Sequence, residues 1–129
     1  GVLTFSSEVY QTVQSLLRRV DAFYVPTDNF VVSAIQSVIK VANENDLPLI
    51  VADNNSVDAG ALATMGIDYY KLGRQTGKMA VKILEGTDPA DIPVERIEKA
   101  KLIVNLKAAE KMNVEVPQEL VDRASKVIK

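Results

Sequence analysis

Between Val20 and Ser56 the chain reads VDAFYVPTDNFVVSAIQSVIKVANENDLPLIVADNNS, and this stretch constrains the fold more than any other. Asp21 to Val25 and Pro48 to Ala52 are apolar, aromatic and β-branched runs, the pattern of strands buried on both faces. Pro26 ends the first, because proline cannot donate to a ladder. Between the runs Val31, Ala34, Ile35, Val38, Ile39 and Ala42 recur at helical spacing, behind Asp28 or Asn29 as N-cap. The strand starts lie 27 residues apart, close to the length of a right-handed βαβ unit. Parallel sheets gather the carboxyl ends of their strands on one edge, where such sheets bind ligands. The tips Thr27-Asp28-Asn29 and Asp53-Asn54-Asn55-Ser56 are therefore predicted to share a rim.

The rest of the chain extends this pattern into a three-layer α/β fold, a mostly parallel sheet of about four to five strands with helices on both faces. Val2 to Phe5 reads as a short strand, and Ser6-Ser7-Glu8 opens a helix on which Val9, Val13, Leu16, Leu17 and Val20 recur. Ser56 is expected to cap a helix over Val57 to Met65, stopped by Gly66. Ile67 to Lys71 reads as extended, and a helix follows over Leu72 to Leu84 with Leu72, Thr76, Met79, Ala80, Ile83 and Leu84 as its stripe. Thr87 to Pro93 is a loop. Lys101 to Leu106 reads as a strand, Lys107 to Met112 as a short helix, and Gln118 to Ile128, behind Pro117, as a terminal helix.

Composition removes most chemistries. The 129 residues contain neither cysteine nor histidine, which excludes disulfides, thiol nucleophiles, thiolate or imidazole metal sites and the usual general base. Net charge is −2 and no Lys/Arg run exceeds two, so nucleic acid is not an expected partner. Gly1-Val2-Leu3-Thr4 lacks the basic flank and apolar core of a signal peptide, and the first residue is not Met. A piece of a longer protein is expected.

What remains is recognition. Helix N-termini at the two tips present backbone N–H groups suited to a carboxylate, while Asp28 and Asp53 suit an ammonium. Together they describe a site for a small zwitterion such as an amino acid. The same residue types after strands are also ordinary caps and turn formers. The adjacent Tyr69 and Tyr70 in an extended Ile67–Lys71 would point to opposite faces, so that either one packs in the core and the other offers an aromatic face to a ligand, or both are packing residues with hydroxyls at the surface. Gly73-Arg74-Gln75-Thr76-Gly77 is not a phosphate loop, and Arg74 and Lys78 read as a solvated helix face. An alternative is a cytosolic receiver-like or flavodoxin-like regulatory domain with Asp53 as phosphoacceptor and Lys107 after a later strand. The paired acids such domains need after their first strand are replaced here by Phe5-Ser6-Ser7.

YVPTDN, the YYKLGRQTGKMAVKIL segment and VNLKAAEKM then make the pattern specific. Nearly the whole chain resembles the C-terminal part of ABC transporter substrate-binding lipoproteins of the tryptophan/tyrosine type, which have the periplasmic-binding-protein type 1 fold. The resemblance implies an extracytoplasmic receptor, not an enzyme, that closes two lobes on a small solute and delivers it to a membrane permease without a cofactor. By position Thr27, Asp28, Asn29, Asp53, Asn55 and Tyr70 would face the cleft. Asn55 stands where family members often carry an acid, which removes one ammonium partner. Residues 1–67 and 96–129 would belong to the second lobe, and 68–95 to a crossover with a helix that packs on the first lobe. Without that lobe, the 72–84 stripe is expected to fold back on the remaining sheet or to pack against another chain, for example in a homodimer.

Overall fold

The structure, a computed structural model, describes residues 8–97 and 100–129. It divides into two compact units, residues 1–66 with 101–129, and residues 67–100. The expected strand at Val2–Phe5 and the Ser6-Ser7 helix start lie outside the described residues.

In the first unit, helix α1 spans Val9–Leu16 and buries Val9 and Val13. Strand β1 (Phe23–Val25) pairs in parallel with β2 (Leu49–Val51), and the helical pattern between them folds as α2 (Asn29–Ser33) and α3 (Ile35–Glu44). The break at Ala34 has a local cause. The Ser33 hydroxyl donates to the Phe30 carbonyl at 2.8 Å and Ala34 N–H to Val31, which tightens the last turn of α2. Beyond the break α3 buries Ile35, Val38, Ile39, Val41 and Ala42, and Asp46, with φ of 52°, turns the chain back toward β2.

Helix α4 covers only Asn54–Asp58, because Gly60, with φ of 127°, ends it well before Met65. Ala63–Gly66 is therefore strand β3, parallel to β2, and not the end of a helix. Strand β4 (Lys101–Asn105) pairs antiparallel to β3, and helix α6 (Leu106–Lys111) ends at Asn113, which has positive φ. The predicted terminal helix is also shorter. Helix α7 (Gln118–Arg123) gives way to β5 (Lys126–Ile128), which pairs in parallel with β4. The β-branched pair Val127-Ile128 and the Ser125 N–H to Leu102 carbonyl bond, 2.8 Å, favour the ladder over a longer helix.

The sheet order is β1-β2-β3-β4-β5, mostly parallel as expected. Phe23, Val25, Leu49, Val51 and Ile103 meet Val9, Val38, Val57 and Met112 in one core. Tyr24, on the opposite face of β1, is 67% exposed, so this strand is buried on one face and not on two. The second unit holds helix α5 (Tyr69–Leu84), capped by Asp68 and ended at Gly86, and a 3-10 turn at Pro89–Asp91. Helix α5 starts three residues earlier than predicted, since the Asp68 carboxylate accepts from Lys71 N–H at 3.2 Å. Tyr69 and Tyr70 thus sit in a helical first turn, both exposed, instead of on alternate faces of a strand.

Candidate functional site

The parallel register Val25↔Val51 sets the ends of β1 and β2 side by side, and Ala52 N–H donates to the Val25 carbonyl at 3.0 Å to extend the ladder to the last residue. The tips that follow, Thr27 to Asn29 and Asp53 to Ser56, therefore leave the same edge of the sheet. Gly66, the last residue of β3, reaches that edge too, because β3 runs parallel to β2.

Both aspartates act as N-caps. Asp28 Oδ1 accepts from the N–H groups of Phe30 and Val31 at 2.9 and 3.1 Å, while its Oδ2 makes no hydrogen bond among the described residues. Thr27, Asp28 and Asn29 are exposed. Asp53 is half-buried and both its oxygens go to Ser56, Oδ1 accepting from the N–H at 2.9 Å and Oδ2 from the hydroxyl at 2.6 Å. Ser56, expected as the cap, is instead the buried partner of the cap, 2% exposed. The helix N–H groups that looked available for an anion are thus partly taken by the protein's own carboxylates. What the rim still offers is Oδ2 of Asp28 for a cation and the exposed polar side chains of Thr27, Asn29 and Asn55. Tyr70 belongs to the second unit.

Sequence reasoning missed one element of this edge. The Asn54 carboxamide lies directly on Gly66. A methyl built at Gly66 would overlap Asn54 Oδ1 and stand 2.9 Å from its Cγ, so only glycine lets the second tip rest on the end of β3. The signal was Gly60: read as the helix stop, it frees Ala63–Gly66 to be a strand. The receiver-like reading fails on the same topology. Because β4 is antiparallel to β3, Lys107, just past its end, lies at the opposite edge from Asp53. No cluster of three or more acidic side chains that would hold a metal is found among the described residues.

A parallel sheet edge carrying two capped polar tips is the kind of edge at which open α/β sheets bind ligands. Comparison with known proteins makes the family specific. Residues 2–128 match the model of the ABC transporter substrate binding protein family, and the chain belongs to that family. It is 49% identical over 105 residues to a tyrosine-binding protein of Clostridioides difficile, covering 81% of this chain and 30% of that protein. It is 32% identical to an uncharacterised Rickettsia prowazekii protein, covering 84% of this chain and 36% of that one. Among solved structures it is similar to an ABC domain from Streptococcus pneumoniae in complex with L-Trp, with TM-score 0.82 and 32% identity over 98% of this chain and 43% of that one. A ligand-free, open substrate-binding protein with adhesive properties from Clostridium difficile gives TM-score 0.77 and 42% identity over 98% of this chain and 42% of that one. The chain thus spans about a third of the length of these curated relatives and under half that of the solved structures.

Proposed function

We propose that this chain forms one wall of the cleft in the solute-binding component of an ABC importer, and that the solute is an aromatic amino acid, tyrosine or tryptophan. The observation that carries the reading is the convergence of the Thr27–Asn29 and Asp53–Ser56 tips on one sheet edge in a member of this family. The tyrosine-binding and L-Trp-bound relatives support the solute class. In this assignment Asp28 Oδ2 takes the ammonium, Thr27, Asn29 and Asn55 supply polar contacts, Asp53 holds its tip in shape, and Tyr70 lends an aromatic face.

Residues 1–67 and 96–129 are assigned to the second lobe, and 68–95 to the crossover and a helix of the first. The receptor works outside the cytoplasm, anchored as a lipoprotein, and hands its solute to a membrane permease without chemical change. Melting of the intact protein with each of the twenty amino acids tests this. Tyrosine or tryptophan is expected to raise the midpoint, and a screen in which neither does so refutes the solute class.

One wall alone gives little affinity, so the isolated chain is expected to bind tyrosine and tryptophan weakly or not at all. Micromolar affinity by calorimetry would show that the second wall is dispensable. In the isolated chain Ile83 and Leu84 are exposed, and we assign this row to a contact with a second copy. A monomer by light scattering would rule that out.

A further inference from the structure

Strand β2 ends at Val51, which pairs with Thr64, so β3 runs on past its parallel neighbour. On the far side Met65 and Gly66 still pair with Leu102 and Lys101 of β4. On the side where β2 has stopped, the second tip takes the place of a strand: Asn54, half-buried at the start of α4, lays its carboxamide on Gly66. The space a Cβ would need at Gly66 is filled, with Asn54 Cγ at 2.9 Å and Thr64 Cγ2 at 3.4 Å from it. Gly66 is also the residue after which the chain leaves the first unit, and its register partner Lys101 is where the chain rejoins it. Both connections between the units therefore start from one register pair, and Asn54 rests on one member of that pair.

We infer that Asn54 is a positioning residue for solute capture, tying the second tip of the rim to the base of both connections. A solute held at the tip then biases the backbone through which the two units are joined. This inference rests on the solute-binding reading proposed above. The tip is stiff enough to transmit such a bias, because both Asp53 oxygens are committed to the buried Ser56. Glycine has the widest backbone freedom of any residue, so without the carboxamide against it the base of the connection samples more conformations. Only molecules with the connections in the binding-competent arrangement capture solute, and the apparent affinity falls with their fraction. Asn54 acts here without touching the solute: its carboxamide is turned to β3, while the exposed Asn55 is left for polar contacts.

The test is calorimetry and small-angle X-ray scattering of the intact protein with tyrosine and with tryptophan, on Asn54→Ala, Gly66→Ala and the double variant. Asn54→Ala should weaken both amino acids by one common factor, about three- to tenfold for couplings of this kind, with the compaction at saturating solute retained. Gly66→Ala should weaken binding likewise. The double variant should bind no more weakly than Gly66→Ala and should melt above it, since the added methyl then has room. Additive losses of affinity in the double variant, native affinity in Asn54→Ala, or a changed tyrosine-to-tryptophan affinity ratio overturns this inference and leaves the solute-binding reading standing. A native protein that neither binds nor compacts with either amino acid refutes both.

Discussion

Asn105 offers the sharpest test of how the first unit is held together. It ends β4, is only 4% exposed, and divides its carboxamide between two elements. Its Oδ1 accepts from Ala108 N–H at 3.0 Å and caps α6, and its Nδ2 donates to the Val57 carbonyl at 2.9 Å near the end of α4. Replacing it by alanine removes an N-cap, at about 1 kcal/mol, and a buried side-chain bond, at about another 1 kcal/mol. The Val57 carbonyl keeps the Gly60 N–H at 3.1 Å, so its desolvation is not fully exposed by the change. A loss of about 2 to 3 kcal/mol is expected. In urea, with a slope of about 1 to 3 kcal/mol per M, the midpoint should fall by about 1 M. Asn105→Ser separates the two contributions: serine still caps a helix but cannot reach Val57, so about half of the loss should return. An alanine variant within about 0.5 kcal/mol of the native chain would refute the claim that this side chain couples α4 to β4.

Further substitutions probe the edge and its supports. Gly66→Ala forces the Asn54 carboxamide off the end of β3 and should cost about 1 to 3 kcal/mol by urea unfolding. Gly60→Ala puts a side chain at φ of 127° and within 3.4 Å of Ile39 Cγ2, and should lower the melting midpoint by several degrees, on a strain of about 1 to 3 kcal/mol. Asp53→Ala leaves the N–H and hydroxyl of the buried Ser56 without their acceptor, so a loss of about 1 to 2 kcal/mol is expected by the same unfolding assay. Lys126→Ala breaks a bridge to Asp58 that is half exposed at both ends, and should change stability by less than about 0.5 kcal/mol at any salt concentration.

The βαβ unit was legible because its signals are redundant: two apolar runs, a helical period between them, and Asp28 at the helix start. The two missed strands carry no such redundancy. Ala63–Gly66 and Lys126–Ile128 are four and three residues long, too short to show a period of two. Each follows a helix whose last turn does not announce itself in composition. The first is marked by Gly60, but ALATM favours a helix locally and Gly66 offers a second, later stop. Pairing with β2 and β4 overrides that preference, since a sheet neighbour supplies the backbone bonds a helix would have made. The Asn54–Gly66 contact is illegible for the same reason, because it exists only where Ala63–Gly66 is a strand with an end for the tip to rest on.

The two aspartates of the rim commit their oxygens unequally to the protein's own backbone and side chains. A carboxylate that caps a helix is held in one rotamer by the backbone it serves, so whatever lone pairs are left over point in a fixed direction. Asp53 has both oxygens engaged by Ser56, which fixes the conformation of its tip. Asp28 caps with one oxygen and leaves the other facing outward, with the ordering cost already met by the Phe30 and Val31 N–H groups. The distinction separates the two in a binding assay on the intact protein. Asp28→Asn preserves the capping oxygen and removes the charge, so it should weaken amino-acid binding by about tenfold or more while the melting midpoint of the unliganded protein holds. Asp53→Asn preserves the Oδ1 bond and should lose stability before it loses affinity. If the order is reversed, the ammonium sits at the second tip, and the capping geometry does not determine which carboxylate meets the solute.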